Sequence, residues 1–414
     1  MRPTSLERSS TIEKNGFKKT YITLIYVSVF FIYYMLFLNQ GLQHTGPLGG
    51  FVSETYNHMM MFSQPLLHRG WQQALATNFE PLFHILTAGL AKIFKVVSKN
   101  KELMNLANAS AFLLASAKTA QFIIIKKIVD HSTKLTEARS LFLTTVINFC
   151  TVLYLPFITL NIYMPMITPN ILIDPTNIFL APFAILFFYL YVKFYIEKDA
   201  TSYKKSLGLS LLLIAASLVK PAFTNIILVV IGAYYLFRPK RFASVNLFHD
   251  VLIYLPSCLI LIWQLIVIQN SDAGGGVEFA PYKVIGLYTR HPVIALFQAL
   301  IFPLLVGVLY LIKQKAHNSK HLHFAWLFCL IAYLIYALFS FSGPTWSAAN
   351  LAWSYQIALT LLYTYSIIEY GNFLSLQKAN PSNFLTNSCA IGFSLIFLSG
   401  IHQFVKIFLG GSYF

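Results

Sequence analysis

VLIYLPSCLILIWQLIVI, residues 251–268, runs for eighteen residues without a charge. An α-helix rises about 1.5 Å per residue, so the run covers about 27 Å, close to the ~30 Å hydrocarbon thickness of a bilayer. A strand of a membrane barrel alternates apolar and polar side chains. Here the apolar character is continuous, which reads as a helix crossing the membrane. LGLSLLLIAASLV (207–219) repeats the pattern upstream, and similar runs recur from Tyr21 to the C-terminus. With 57% hydrophobic residues in a chain of 414, the sequence predicts one all-α polytopic transmembrane bundle. The runs amount to about 12–13 helices. The expected organisation is a cytoplasmic segment at 1–20, a single transmembrane domain at 21–408 and a tail at 409–414.

Charge sets the expected orientation. Lys and Arg number 30 against 14 Asp and Glu, a formal charge of +16. The cations gather at 2–19, 92–101, 126–139, 193–205, 238–241 and 313–320, with Lys378 apart. Such clusters mark the cytoplasmic ends of membrane helices, so the charge implies a membrane and no nucleic acid. Span pairs at 206–219 with 222–237, 250–268 with 292–312 and 324–342 with 352–370 then turn on the outer side, and a last span at 387–408 ends there. No small-residue cleavage site follows the first span, so that span is expected to be retained. One stretch breaks the alternation. Spans at 81–95 and 103–125 would put Lys126 and Lys127 outside, so either 103–139 hides an extra pass or the charge bias fails there. Cys150, Cys258, Cys329 and Cys389 all lie in apolar spans, with no metal-ligand spacing and no disulfide framework.

The carboxylates narrow the chemistry. Nine of the fourteen (Glu7, Glu13, Glu102, Asp130, Glu137, Glu197, Asp199, Asp250 and Glu369) sit in or beside basic loops. Glu54, Glu80, Asp174, Asp272 and Glu278 do not, and these five fall in the expected outer segments. Glu54 and His58 stand i,i+4 in the long first loop (40–80), on one face if the segment is helical. A carboxylate beside an imidazole suits general-base work or a divalent cation, although Ser53-Glu54-Thr55 also reads as a helix start. In the same loop, MMMFSQPLLHRGW (59–71) reads as an interfacial helix with Arg69 and Trp71. Glu80-Pro81 is a normal helix start, whereas His84, one turn into an apolar helix, is expected to face a cavity. Asp174-Pro175-Thr176-Asn177 reads as a helix cap that is also able to touch substrate. Lys220-Pro221, in an outer hairpin, is a phosphate-binding candidate or a snorkelling cation, and Arg290 is a second phosphate candidate. Asn350 and Trp353, in a turn with Trp346, suit a sugar ring or an interfacial anchor. The stretch 269–291, with Asp272 and Glu278, reads as a flexible lid or linker. Lys118 lies inside a span and is expected to line the interior.

NFEPLFHIL (78–86), PNILIDPTNIF (169–179), SLVKPAF (217–223) and NLAWSYQIAL (350–359) lie in order across most of the chain. Together with the long first loop carrying Glu54, they resemble the GT-C superfamily of membrane glycosyltransferases, in its bacterial, polyprenyl-phosphate-sugar-dependent form. Two departures stand out. Asp174 precedes the Pro where Asn is expected, and Glu54 is single where many members carry an acidic pair. The resemblance implies a GT-C-like helical bundle in a bacterial inner membrane with its active site facing outward. It implies a lipid-linked sugar donor, a saccharide, lipid or protein acceptor, Glu54 as base, and His58, Glu80, His84, Asp174, Lys220, Arg290, Asn350 and Trp353 around the substrates. No motif demands a cofactor, and a divalent cation is compatible with the acids. Two other readings stand beside this one. A transporter or flippase for a lipid-linked saccharide predicts ionisable residues at mid-membrane depth. A polysaccharide polymerase or ligase predicts a large Arg-bearing late outer loop.

Overall fold

The computed structural model describes residues 5–42, 54–69, 80–98, 101–154, 168–170, 172–197, 202–236, 245–269, 276–289, 291–313, 319–342, 350–376 and 384–409. In order, the first half contains α1 (Ser5–Leu42), α2 (Glu54–His58), a π-helical turn (Met59–Ser63), α3 (Gln64–Arg69), α4 (Pro81–Ser98), α5 (Glu102–Ser132), α6 (Glu137–Phe149) and α7 (Pro175–Tyr191), which ends in a π-helical segment (Val192–Glu197). The second half contains α8 (Tyr203–Val219), α9 (Ala222–Leu236), α10 (Val245–Gln269), β1 (Val277–Phe279), α11 (Ile285–Tyr288), α12 (Pro292–Lys313), α13 (Lys320–Leu338), β2 (Phe339–Phe341), α14 (Asn350–Leu376) and α15 (Phe384–Phe408). Twelve of the described α-helices have thirteen residues or more, in line with the apolar runs. Among the described residues, six helices are long and apolar enough to cross a membrane: Thr20–Leu42, Pro175–Glu197, Leu247–Gln269, Pro292–Ile312, Lys320–Leu338 and Phe384–Phe408. The chain is an all-α polytopic membrane protein.

Contacts between α1 and α5 decide the topology. The Tyr34 hydroxyl donates to Asn108 Oδ1 at 2.7 Å. Phe30 meets Phe112 at 5.6 Å between ring centroids, and Tyr26 meets Phe122 at 6.2 Å. Numbers fall along α1 as they rise along α5, so the two helices are antiparallel. The end of α1 and the start of α5 therefore share one end of the bundle, and the intervening chain makes no net crossing. At that end Glu102 accepts a hydrogen bond from Gln64 Nε2 (3.0 Å) and pairs with His68 (3.2 Å), while Ala91 of α4 packs with Met59, Leu106 and Ala107.

This corrects the expectation that 81–95 spans the membrane and that Lys92, Lys95 and Lys101 lie inside. The helix α4 lies across one end of the bundle. Its period explains why. Phe83, His84, Thr87, Ala88 and Ala91 are buried along one face, while Lys92, Ile93, Lys95, Val96 and Val97 are exposed. That two-faced pattern suits a surface helix better than a spanning one. The alternation of charge fails at 92–101, and 103–139 needs no hidden pass.

Three basic clusters do meet, at the opposite end. Lys126 Nζ lies 2.6 Å from Asp130 and 2.6 Å from Glu137. Lys193 Nζ is 3.0 Å from His131, and Lys320 donates to the Ile196 carbonyl at 2.9 Å. From there α6 rises to Phe149, and the chain continues beside α15, with the Thr151 amide donating to the Ile396 carbonyl at 3.2 Å. Gly400 makes this approach possible: a Cβ there would sit 1.6 Å from the Phe149 carbonyl oxygen. Gly400→Ala is expected to destabilise the fold by about 1–3 kcal/mol through forced backbone displacement. Gly392→Ala, whose Cβ would meet only Leu305 and Phe302 at 3.5 Å, is expected to be tolerated. Thermal unfolding of the two variants side by side in one detergent checks this.

The helix α14 is the central post. Every residue from Ala352 to Gly371 is buried. Two of its threonines bond to the helix backbone: Thr360 Oγ1 donates to the Gln356 carbonyl (3.0 Å) and Thr364 Oγ1 to the Thr360 carbonyl (2.7 Å). Near its start, Gln356 accepts a hydrogen bond from the Asn177 amide group and so ties α14 to the start of α7. The stretch 269–291 is not wholly irregular either. β1 pairs antiparallel with β2, with Glu278 opposite Ser340, and Lys283 holds Glu278 at 2.5 Å. Asp272 lies outside the described residues, as do Trp71, Arg290 and Trp346.

Candidate functional site

Lys220 sits where α8 stops, and the following Pro221 prevents a continuous helix. Its ammonium is buried rather than snorkelled to the surface. Nζ lies 2.5 Å from Asp174 Oδ2, 3.0 Å from Thr176 Oγ1 and 3.4 Å from Glu80 Oε1. The Trp353 ring closes the fourth side, 5.4 Å from Nζ to the ring centroid, a distance at which the ring face attracts a cation. Burial opposes the ammonium charge, yet Asp174 and Glu80 outweigh it and raise the pKa of Lys220 above the usual lysine range.

Asp174 is both cap and ion partner. Its Oδ1 accepts from the Asn177 amide at 3.1 Å and from Thr176 Oγ1 at 2.7 Å, which closes the first turn of α7 with Pro175 at the first helical position. Its other oxygen faces Lys220. Burial works against its charge, but Lys220 and then His58 prevail and hold the carboxyl down at about 2. At Glu80 the balance reverses: burial exceeds the pull of Lys220 and raises the carboxyl.

Glu54 and His58 reach the same place from α2. The sequence puts them one helical turn apart, and the π-helical turn that follows carries Ser63 under His84. His58 and His84 stack at 5.3 Å with planes 10° apart. His58 Nδ1 lies 3.4 Å from His84 Nε2, and His84 Nδ1 lies 3.0 Å from Ser63 Oγ. Burial lowers the imidazole pKa of His58 to about 4, so it is neutral at pH 7. Burial, and next the negative charge of Asp174, push the Glu54 carboxyl up to about 8. One ligand atom from each of Glu54, His58 and Asp174 falls within 4.8 Å of the other two.

Of the residues named from sequence, the fold therefore gathers Glu54, His58, Glu80, His84, Asp174, Lys220 and Trp353 at one end of the bundle. Asn350 begins α14 at the same end, and Arg290 lies outside the described residues. Sequence reasoning missed Ser63, for which no signal exists until the π turn places it under His84. It treated Thr176 as part of a cap, although its hydroxyl contacts both Asp174 and Lys220. Lys118 is buried in the bundle as expected, with Nζ donating to Gln121 Oε1 at 3.2 Å and lying 5.8 Å from the Tyr33 ring centroid. Compared with protein-family models, with curated proteins and with solved structures, the chain matches none.

Proposed function

We propose that this chain is a membrane glycosyltransferase of GT-C type, moving a sugar from a polyprenyl-phosphate donor to an acceptor hydroxyl at the outer leaflet of a bacterial inner membrane. The observation that carries the reading is the meeting, at one end of a membrane bundle, of an unpaired carboxylate with a buried ammonium. The carboxylate of Glu54 accepts no hydrogen bond from any of the described residues, and its raised pKa gives it the basicity that proton abstraction near neutral pH requires. The acceptor hydroxyl gives its proton to Glu54, and its oxygen attacks the anomeric carbon. The bond from that carbon to the phosphate oxygen breaks, and the electron pair leaves with the phosphate.

Lys220 meets that developing charge. An ammonium has three donor hydrogens, and its longest contact, Glu80 at 3.4 Å, is the one a phosphate oxygen displaces. Burial raises the pKa of Glu80, which makes this the weaker of the two ion pairs and the easier one to exchange. Trp353 offers a ring face to the sugar. The concentration of titratable groups at one end, away from mid-membrane, favours an enzyme over an alternating-access carrier, although Lys118 lies deep in the bundle.

The test is transfer by purified protein from a synthetic polyprenyl-phosphate sugar to a panel of acceptors. Its pH dependence is a prediction with a definite sign. Glu54 acts when ionised, so kcat/KM is expected to rise about tenfold per pH unit below pH 8 and to level off above it. A profile flat from pH 6 to 9 would remove Glu54 as base. Sugar-dependent flipping without transfer in proteoliposomes would move the chain to the carrier class.

A further inference from the structure

Glu54, His58 and Asp174 come from two elements separated by more than a hundred residues, yet offer three ligand atoms within 4.8 Å of one another. One imidazole and two carboxylates form a donor set for a first-row divalent cation such as Zn²⁺ or Mn²⁺.

The second observation concerns the back of His58. Its Nδ1 is turned to His84 Nε2 at 3.4 Å, and the far nitrogen of His84 meets Ser63 Oγ at 3.0 Å. Ser63 and His84 are both fully buried. A metal-bound histidine ordinarily passes its second N–H to an acceptor behind it, which fixes the tautomer and aims the other nitrogen at the metal. In the tautomers in which His58 Nδ1–H donates to His84 and His84 Nδ1–H donates to Ser63, the Nε2 lone pair of His58 is left free. We propose that Glu54, His58 and Asp174 form a divalent-cation site, oriented by the outer chain His84–Ser63. The site rests on the residues of the proposed function: Glu54 serves as base with the cation absent and as ligand with it bound, and the binding test does not depend on that reading.

Asp174 limits the affinity. Its Oδ2 already meets the Lys220 ammonium at 2.5 Å, so a cation there shares the oxygen with a positive neighbour.

The experiment is calorimetric titration of the full-length, detergent-purified protein, freed of metal by chelation, with Zn²⁺ and separately with Mn²⁺. Metal analysis after gel filtration supplies the stoichiometry. The expected result is one equivalent per chain. His58→Ala and Glu54→Gln should each weaken binding at least tenfold, and His84→Phe about 10–100-fold, the range for an outer-chain partner. Lys220→Gln removes the competing positive charge and should tighten binding if the variant remains monodisperse. Retained thermal stability of Glu54→Gln keeps that arm interpretable if another variant fails to fold. Absence of stoichiometric binding of both metals overturns the inference, as does binding unchanged by both His58→Ala and Glu54→Gln. Transfer that is lost in Glu54→Gln, in a protein that binds no metal, sinks the cation site and leaves the glycosyltransferase reading standing. Metal binding without transfer does the reverse.

Discussion

Glu54→Gln is expected to lower kcat for sugar transfer by about 10²–10⁴-fold, the range for loss of a general base, while the protein folds and binds donor as before. The amide has nearly the shape of the carboxyl but cannot take a proton from the acceptor. Folding should survive because the Glu54 carboxyl, raised to about 8 by burial and by Asp174, is already mostly protonated and uncharged at neutral pH. It accepts no hydrogen bond from the described residues, so the substitution breaks none of the described contacts. The check is kcat and KM on matched, monodisperse preparations. A fall in kcat with little change in KM is the signature of an interaction made in the transition state. Activity within about tenfold of the unmodified protein would exclude Glu54 as base.

Lys220→Met is expected to destabilise the fold by about 3–5 kcal/mol, the usual cost of removing one partner from a buried ion pair. Asp174 would be left charged, buried and without the ammonium 2.5 Å away. Glu80 is affected less, because burial already favours its protonated form. Asp174→Asn in the Lys220→Met background removes the orphaned charge and retains an oxygen able to cap α7. The double variant should therefore recover most of the lost stability, a coupling that a double-mutant cycle isolates. Reversible unfolding in mixed micelles measures all four corners. Additive losses would mean that the pair contributes nothing specific, and the assignment of Lys220 as a charge buried for chemistry would lose its support.

The fold was legible because membrane insertion imposes strong demands on composition. A helix in hydrocarbon must be apolar over about 20 residues, so a run such as 251–268 announces itself. The cases that misled were those in which a different neighbour relaxed the demand. The helix α4 has the length of a span but the periodicity of a surface helix, and its apolar face meets α5, α8 and the Met59–Ser63 turn. The helix α14 carries Gln356, Thr360, Thr364 and Glu369 and still runs through the centre of the bundle, because protein surrounds it on every side. Charge bias placed the clusters at 126–139, 193–205 and 313–320 together, and it misplaced 92–101, where lysines decorate a helix lying along one end.

The candidate site was legible as residue types and not as an assembly. Glu54 with His58 and Asp174 with Thr176 are local pairs, set by helical spacing and by capping, and both can be read along the chain. Their meeting with Lys220 depends on the end of α8 being delivered to the start of α7, which no local signal encodes. Ser63 shows the same limit, since its place beneath His84 exists only because a π-helical turn rotates it there.

By itself the sequence determined a polytopic helical membrane chain, its basic end, and a short roster of ionisable residues that membrane burial makes costly. Only the tertiary structure decided that α4 does not cross, that Lys220 is buried between Asp174 and Glu80 rather than reaching for lipid, and that Glu54 joins that cluster while accepting no hydrogen bond from the described residues. The reason is physical: transfer to hydrocarbon is a property of each segment summed alone, whereas charge pairing depends on distances between segments that the packing of the bundle sets.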